Sequence, residues 1–230
     1  MKRIALLGGM SWQSSIEYER VINTAVRERL GGAHSADLLV RSYDFAAIES
    51  LQQGDEWDAL GELLAADARR LQDAGGELLV ICTNTMHVLA PQIEAAIDIP
   101  LLHIADATAD AVHAAGLHTV GLLGTRYTME MGFYRDRLAE TGIIALIPDE
   151  PDRTLVHDVI YDELVRGIVS PESRAEYLRI IDELVERGAE GVVSGCTEIE
   201  LLVSQGDLDV PLFPTAKLHA LAAVEAALAE

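Results

Sequence analysis

Basic residues, cysteines and long apolar runs are all scarce in this chain, and each scarcity excludes something. Seventeen Lys and Arg stand against 38 Asp and Glu, a formal net charge of -21. A field of that sign repels nucleic acid and anionic membrane surfaces, so neither is expected as a partner. It also opposes an anionic substrate at long range, and a carboxylate site here has to rely on local donors. No apolar run approaches the length of a membrane span. The basic start at Met1-Lys2-Arg3 leads into Ile4-Ala5-Leu6-Leu7, too short for a signal peptide, and closes on Gly8-Gly9. Two cysteines without secretory context, Cys82 and Cys196, read as cytosolic thiols, which makes a cytoplasmic location the expectation. Only Lys2 and Lys217 are present, and nothing marks either as a pyridoxal lysine. The histidines are scattered (His34, His87, His103, His113, His118, His157, His219) and lack ligand spacing with the cysteines, so no metal and no cofactor is expected. The Gly8-Gly9-Met10-Ser11 turn is not G-x-G-x-x-G, which leaves a dinucleotide reading weak.

What is present is a core. Half of the 230 residues are apolar, enough for one large or two small domains. The chain is organised around Leu78-Leu79-Val80-Ile81-Cys82-Thr83-Asn84-Thr85-Met86-His87. There an apolar run of strand length stops at small polar residues, and a helical pattern (Val88, Leu89, Ile93, Ala96, Ile97) follows. In open α/β sheets ligands bind where a strand's carboxyl end feeds a helix, whose free N–H groups and dipole favour an anion. A second such junction is Gly191-Val192-Val193-Ser194-Gly195-Cys196-Thr197-Glu198-Ile199.

Strands are expected at Ile4 to Leu7, Asp37 to Arg41, Leu78 onward and Ile99 to Leu102. A helix capped by Ser14 or Ser15 lies between the first two and stops at Gly31-Gly32. A loop carries Asp44, Phe45 and Gln52, and a helix from about Trp57 to Ala74 precedes the Leu78 strand. The pattern then restarts. Thr119 to Thr125 resembles Ile4 to Gly9, followed by helical residues to about Glu140 and a strand at Ile143 to Ile147. Helices near Arg153 to Val169 and from Pro171 to Arg187, capped by Ser170, lead to the Gly191 strand, to Val210 to Phe213 and to a last helix. Ile4 to Val120 is 116 residues, Cys82 to Cys196 is 114 and Pro100 to Pro211 is 111. Landmarks at nearly one offset point to a duplicated unit rather than one continuous sheet. The fold class is therefore α/β: two pseudo-symmetric domains, each a short parallel sheet flanked by helices, with the active site in the cleft between them. The expected division is 1–103 plus 212–230 for the first domain and 104–211 for the second.

Two proton-transfer groups facing each other across a cleft suit removal of a proton from one face of a carbon and its return from the other. A thiol titrates near 8.5, lower beside helix amino termini or cations, and so can serve as base or acid. Thr and Asn side chains with backbone N–H groups would hold a carboxylate and stabilise enolate-like charge. The bland reading of each cysteine is a small buried hydrophobe.

At Gly8-Gly9-Met10-Ser11-Trp12, Asn84-Thr85-Met86-His87 and Gly195-Cys196-Thr197-Glu198 the sequence resembles the cofactor-independent aspartate/glutamate racemase family, nearly end to end. That resemblance implies an amino-acid substrate, no cofactor and commonly a homodimer. In typical members the first catalytic cysteine directly precedes Asn-Thr, whereas here Thr83 does, with Cys82 one place earlier. Neighbouring strand residues point to opposite faces, so one of the two reaches the substrate. The motif register puts Thr83 in the cleft and Cys82 in the core, as in a subgroup with Thr at the first position and Cys at the second. The repeat offset, 114 or 113, does not discriminate. The implied catalytic pair is Thr83 and Cys196, with Cys196 as a thiolate attacking the L enantiomer. The implied substrate-binding residues are Met10, Ser11, Gln52, Asn84, Thr85, Thr197 and Glu198. Glu198 would receive the ammonium, or else be an ordinary helix N-terminal acid. Arg166 is the candidate for the distal carboxylate, since no cation occupies the Gln52 position. His87 reads as a structural hydrogen-bonder. The competing readings are a single-thiol decarboxylase or isomerase of small dicarboxylates, and a non-catalytic carboxylate sensor.

Overall fold

Strand β1 (Ile4–Gly8) is buried at every position, the mark of a strand covered on both faces in a parallel sheet. Around it the computed structural model, which describes residues 1–229, builds α1 (Trp12–Leu30), β2 (Leu38–Ser42), α2 (Phe45–Gln53), α3 (Trp57–Asp73), β3 (Leu78–Ile81), α4 (Ala90–Glu94) and β4 (Leu101–Leu102). The sheet order is β2-β1-β3-β4, all parallel. Helix α5 (Ile104–Ala114) leads to β5 (Thr119–Gly124), α6 (Arg126–Glu130), α7 (Phe133–Glu140), β6 (Ile144–Leu146), α8 (Asp152–Asp162), α9 (Pro171–Glu186), β7 (Val192–Gly195), β8 (Leu212–Pro214) and α10 (Thr215–Leu228). These strands form a second, separate sheet of order β6-β5-β7-β8, again parallel. The duplication is real, down to strand order, and a single sheet is excluded.

Several elements differ from expectation. The α1 cap is Ser11, whose hydroxyl accepts from Ser14 N. Ser14 and Ser15 lie inside the helix instead. The Asp44 loop is helix α2, because the Asp44 carboxylate accepts from Ala46 N and caps it. Neither thiol or hydroxyl junction feeds an α-helix directly. A 3-10 turn follows each, Thr85–Leu89 in the first half and Thr197–Leu201 in the second. The helix expected to run to Val169 stops at Asp162, followed by a 3-10 turn, Leu164–Arg166, that ends where Gly167 turns left-handed at φ 76°.

The chain forms two units, Met1–Ile104 with the stretch from His219, and Ala105–Leu218. The division expected from sequence gave residues 212–218 to the first unit, but β8 pairs with β7 and keeps them in the second. The helix after each fourth strand belongs to the other unit. In the second unit, α5 presents Asp106 to Arg137 (2.5 and 2.8 Å) and Thr108 to Tyr134 (2.8 Å). In the first, α10 buries Ala220, Ala223, Val224 and Ala227, and its His219 meets Tyr18.

Each unit has its own core. The first is built from Leu7, Leu79 and Ile81 on the strands with Ile48, Leu64 and Ile93 from the helices. The second joins Leu123 and Val192 to Val156, Ile160, Tyr177 and Ile181.

Candidate active site

In the first unit the site residues gather where β1 and β3 end. Gly9 adopts φ 82°, and a Cβ there would lie 2.2 and 2.4 Å from the backbone N and O of Tyr43. Only glycine lets the chain turn this tightly against the end of β2. The loop beyond is thereby fixed: Gly9 N donates to Ser15 Oγ (2.6 Å), and Ser15 Oγ donates to the Ser11 carbonyl (3.1 Å). Met10 packs its side chain into the first unit's core. Ser11 is buried at the helix cap. Gln52 is buried on α2, and its Oε1 has no hydrogen-bond partner among the described residues.

At the end of β3, Cys82 is wholly buried while Thr83 is partly exposed. Burial drives the Cys82 thiol far above its ordinary range, so it stays protonated. The backbone on both sides of Thr83 is tied. Ser14 Oγ donates to the Cys82 carbonyl (2.9 Å), Thr83 N donates to Ile81 O (2.9 Å), and the Thr83 carbonyl accepts from His87 Nδ1 (2.8 Å). Asn84 and Thr85 are buried at the start of the 3-10 turn.

In the second unit, Cys196 follows β7 directly and is partly exposed. Its thiol donates to Glu198 Oε2 (2.9 Å), which also accepts from Thr197 Oγ1 (2.8 Å). Ser194 Oγ donates to the Cys196 carbonyl (3.1 Å), and Thr215 Oγ1 donates to the Ser194 carbonyl (2.8 Å). Burial first, then the neighbouring Glu198 carboxylate, raise the thiol well above its ordinary range, and a short 3-10 turn supplies little opposing dipole. Glu198 is engaged by the thiol, which the sequence reading had not paired with it. Arg166 sits on a turn that packs against the 197–201 turn, with its side chain 66% exposed and 3.4 Å from Asp162.

The strand registers relate the two halves. Leu7 pairs with Ile81 in the first sheet, and Leu123 pairs with Ser194 in the second. With Leu7 and Leu123 equivalent, at the 116-residue offset, Ile81 corresponds to Ser194 and Cys82 to Gly195. Thr83 then corresponds to Cys196, at 113 residues. The two cysteines are not counterparts. The sequence reading also missed the gathering of three histidines, distant in the chain, beneath Thr83. The ring centroid of His87 lies 4.6 Å from that of His103 and 5.4 Å from that of His219.

The chain is similar to known proteins along most of its length. The sequence model of the Asp/Glu/hydantoin racemases matches residues 7–223. The crystal structure of a candidate Asp/Glu racemase from Yersinia pestis is 50% identical over 100% of both chains, with a TM-score of 0.95. An aspartate racemase homologue from Pyrococcus horikoshii is 30% identical, covers 99% of each chain and superposes with a TM-score of 0.86. The broad specificity amino-acid racemase RacX of Bacillus subtilis is 22% identical over 176 residues, 75% of this chain and 74% of that one. Fold and matches together define an enzyme of the isomerase class that acts on amino acids. More narrowly, the chain belongs to the Asp/Glu/hydantoin racemase family.

Proposed function

We propose that this protein racemises acidic amino acids without a cofactor, with Cys196 taking the α-proton of the L enantiomer and Thr83 returning a proton to the opposite face. The observation that carries the reading is the register equivalence of Thr83 and Cys196, each at a strand's carboxyl end and each partly exposed, while Cys82 is sealed in the core. Because the thiol starts protonated, its proton passes to Glu198 Oε2, 2.9 Å away, as the substrate enters. The thiolate so formed takes the Cα–H, leaving an enolate-like carbanion and Cys196 as a thiol again. The hydroxyl of Thr83, directly or through water, supplies the proton that completes the inverted centre and takes one back from solvent, and Glu198 releases the proton it took from Cys196 to solvent when the product leaves. A hydroxyl is a poor base at neutral pH, so the transfer at Thr83 is the slower of the two in either direction, and exchange into the L enantiomer through Cys196 outpaces exchange into the D enantiomer through Thr83.

Asn84, Thr85 and Thr197 hold the α-carboxylate with side-chain and backbone donors, and Met10 and Ser11 line the same region through their fixed loop. The buried Gln52 amide supports a contact with the ligand, because an unmatched buried acceptor costs about 1–3 kcal/mol until a donor arrives. Arg166 is the proposed cation for the distal carboxylate. A homodimer in the cytoplasm is the proposed working state.

The test is solvent exchange at the α-carbon of L- and D-Asp and L- and D-Glu in D2O. Deuterium is expected to enter the L enantiomers much faster than the D, and Cys196→Ala abolishes it while Cys82→Ala retains it. Equal, fast exchange of both enantiomers, or full activity in Cys196→Ala, contradicts the reading. A decarboxylase would instead release CO2 from malonate-like acids with no exchange, and a sensor would do neither.

A further inference from the structure

The buried histidines beneath Thr83 are the strongest feature that the reaction leaves unused. His87 is 1% exposed, and its two nitrogens have different partners. Nδ1 lies 2.8 Å from the Thr83 carbonyl, which can only accept, so Nδ1 carries the hydrogen. Nε2 is then bare, and it accepts from the Ile104 backbone N–H at 3.2 Å. His219 is constrained in the same way. Its Nε2 donates to the Leu102 carbonyl (2.8 Å) and its Nδ1 accepts from the Tyr18 hydroxyl (2.8 Å). Both rings are therefore neutral, each in a single tautomer. Ile104 is the last residue of the first unit before the chain leaves it, and His219 is the first after it returns.

We propose that His87 is a positioning residue for Thr83: locked as its Nδ1–H tautomer, it ties the Thr83 carbonyl to the backbone of Ile104 and so sets where the Thr83 hydroxyl stands. The inference rests on Thr83 being the proton donor of the proposed reaction. The duplicated half argues that this tie serves Thr83 in particular. Four residues after Cys196 the equivalent position is Glu200, exposed on its turn, so the thiol side lacks any such histidine. The asymmetry has a chemical reason. Proton delivery from a weakly acidic hydroxyl is sensitive to placement, and an ångström of displacement costs on the order of 100-fold.

The test separates the two proton transfers. In D2O with L-Asp or L-Glu, deuterium in the recovered L enantiomer reports the Cys196 step, and formation of the D enantiomer reports delivery by Thr83. His87→Leu is expected to lower the ratio of D formation to L exchange by roughly ten-fold or more. His87→Asn, whose amide N–H replaces Nδ1–H, restores the ratio. His87→Gln, which reaches only the Nε2 position, does not. An unchanged ratio in His87→Leu, or equal rescue by Gln and Asn, overturns the proposal. If the wild-type protein shows neither exchange nor D formation, the racemase reading fails, and the imidazole 15N shifts still judge the tie. Those shifts are expected to show His87 protonated at Nδ1 and His219 at Nε2, and a His87 protonated at Nε2 overturns it whatever the activity.

Discussion

At the scale of single residues, the two cysteines show how much position adds to identity. In the sequence the motif register sets Cys82 in the core and Thr83 in the cleft, while the repeat offset, 114 or 113, does not rank these two as counterparts of Cys196. Ranking them takes the sheet registers, which are set by long-range pairing. The motif around Asn84-Thr85 was legible because it is local, whereas the partnership of Cys196 with Glu198 depends on a 3-10 turn that no periodicity announces. That partnership predicts reactivity. Cys196 in the free protein is expected to alkylate with iodoacetamide more slowly at pH 8 than an unhindered cysteine, since the thiolate is the nucleophile and burial with Glu198 disfavours it. Glu198→Gln removes the carboxylate that raises the thiol. Each unit by which the thiol falls increases the thiolate fraction about ten-fold. Labelling rates of the Cys196 peptide, followed by mass spectrometry from pH 6 to 10, are expected to rise in this variant with a midpoint at lower pH. Slower labelling contradicts the assignment. Cys82 is expected to remain unlabelled until the protein is unfolded.

At the scale of elements, the strands were the most legible because β1 and β3 are apolar at every position, a pattern that fits a covered parallel strand. Helix α9 was legible from Ser170 and Pro171, whose capping chemistry is local. Helix α2 was not, because Gln52 and Asp44 read as loop polarity, yet one is buried and the other is the cap. Helix α10 hides a more consequential feature, since His219 looks like any helical histidine but faces His87 and Tyr18, with the Leu102 carbonyl on its Nε2. Burial, reinforced by nearby His87, pushes it down to about 3. The unfolded chain titrates His near 6.5, so between these values the unfolded state binds a proton that the native state does not. Stability is therefore present above 6.5 and lost as pH falls, by about 1.4 kcal/mol per pH unit. Urea midpoints at pH 7 and pH 5 are expected to differ less in His219→Gln than in wild type, although the variant is weaker at pH 7. Parallel losses would refute the assignment.

At the scale of the whole molecule, the division expected from the duplicated sequence already gave the stretch from residue 104 to the second domain and the last helix to the first, which is an exchange of helices between the units. What it misplaced is β8, assigned together with that helix although it pairs with β7 in the second unit. The pairing of Asp106 with Arg137, and of His219 with Tyr18, shows what each exchanged helix contributes to the unit it joins. The exchange makes the units unequal as folding entities. The second, Ala105–Leu218, is one continuous stretch, with α5 before its first strand and β8 near its end. The first needs residues from both ends of the chain. Without α10 it would expose the surface that now covers Ala220, Ala223, Val224 and Ala227, and leave the bare nitrogen partner of Tyr18 missing. Side chains of this kind are worth about 25 cal/mol per Å2 of apolar surface buried, and a domain has only 5–15 kcal/mol of net stability to lose. A fragment of residues 105–218 is therefore expected to give a dispersed amide NMR spectrum and a cooperative urea transition. A fragment of residues 1–104 is expected to remain unfolded or aggregate until a peptide of residues 215–229 is added, and then to gain dispersion at a saturable peptide concentration. A folded 1–104 fragment that ignores the peptide would show that α10 covers the first unit without holding it together.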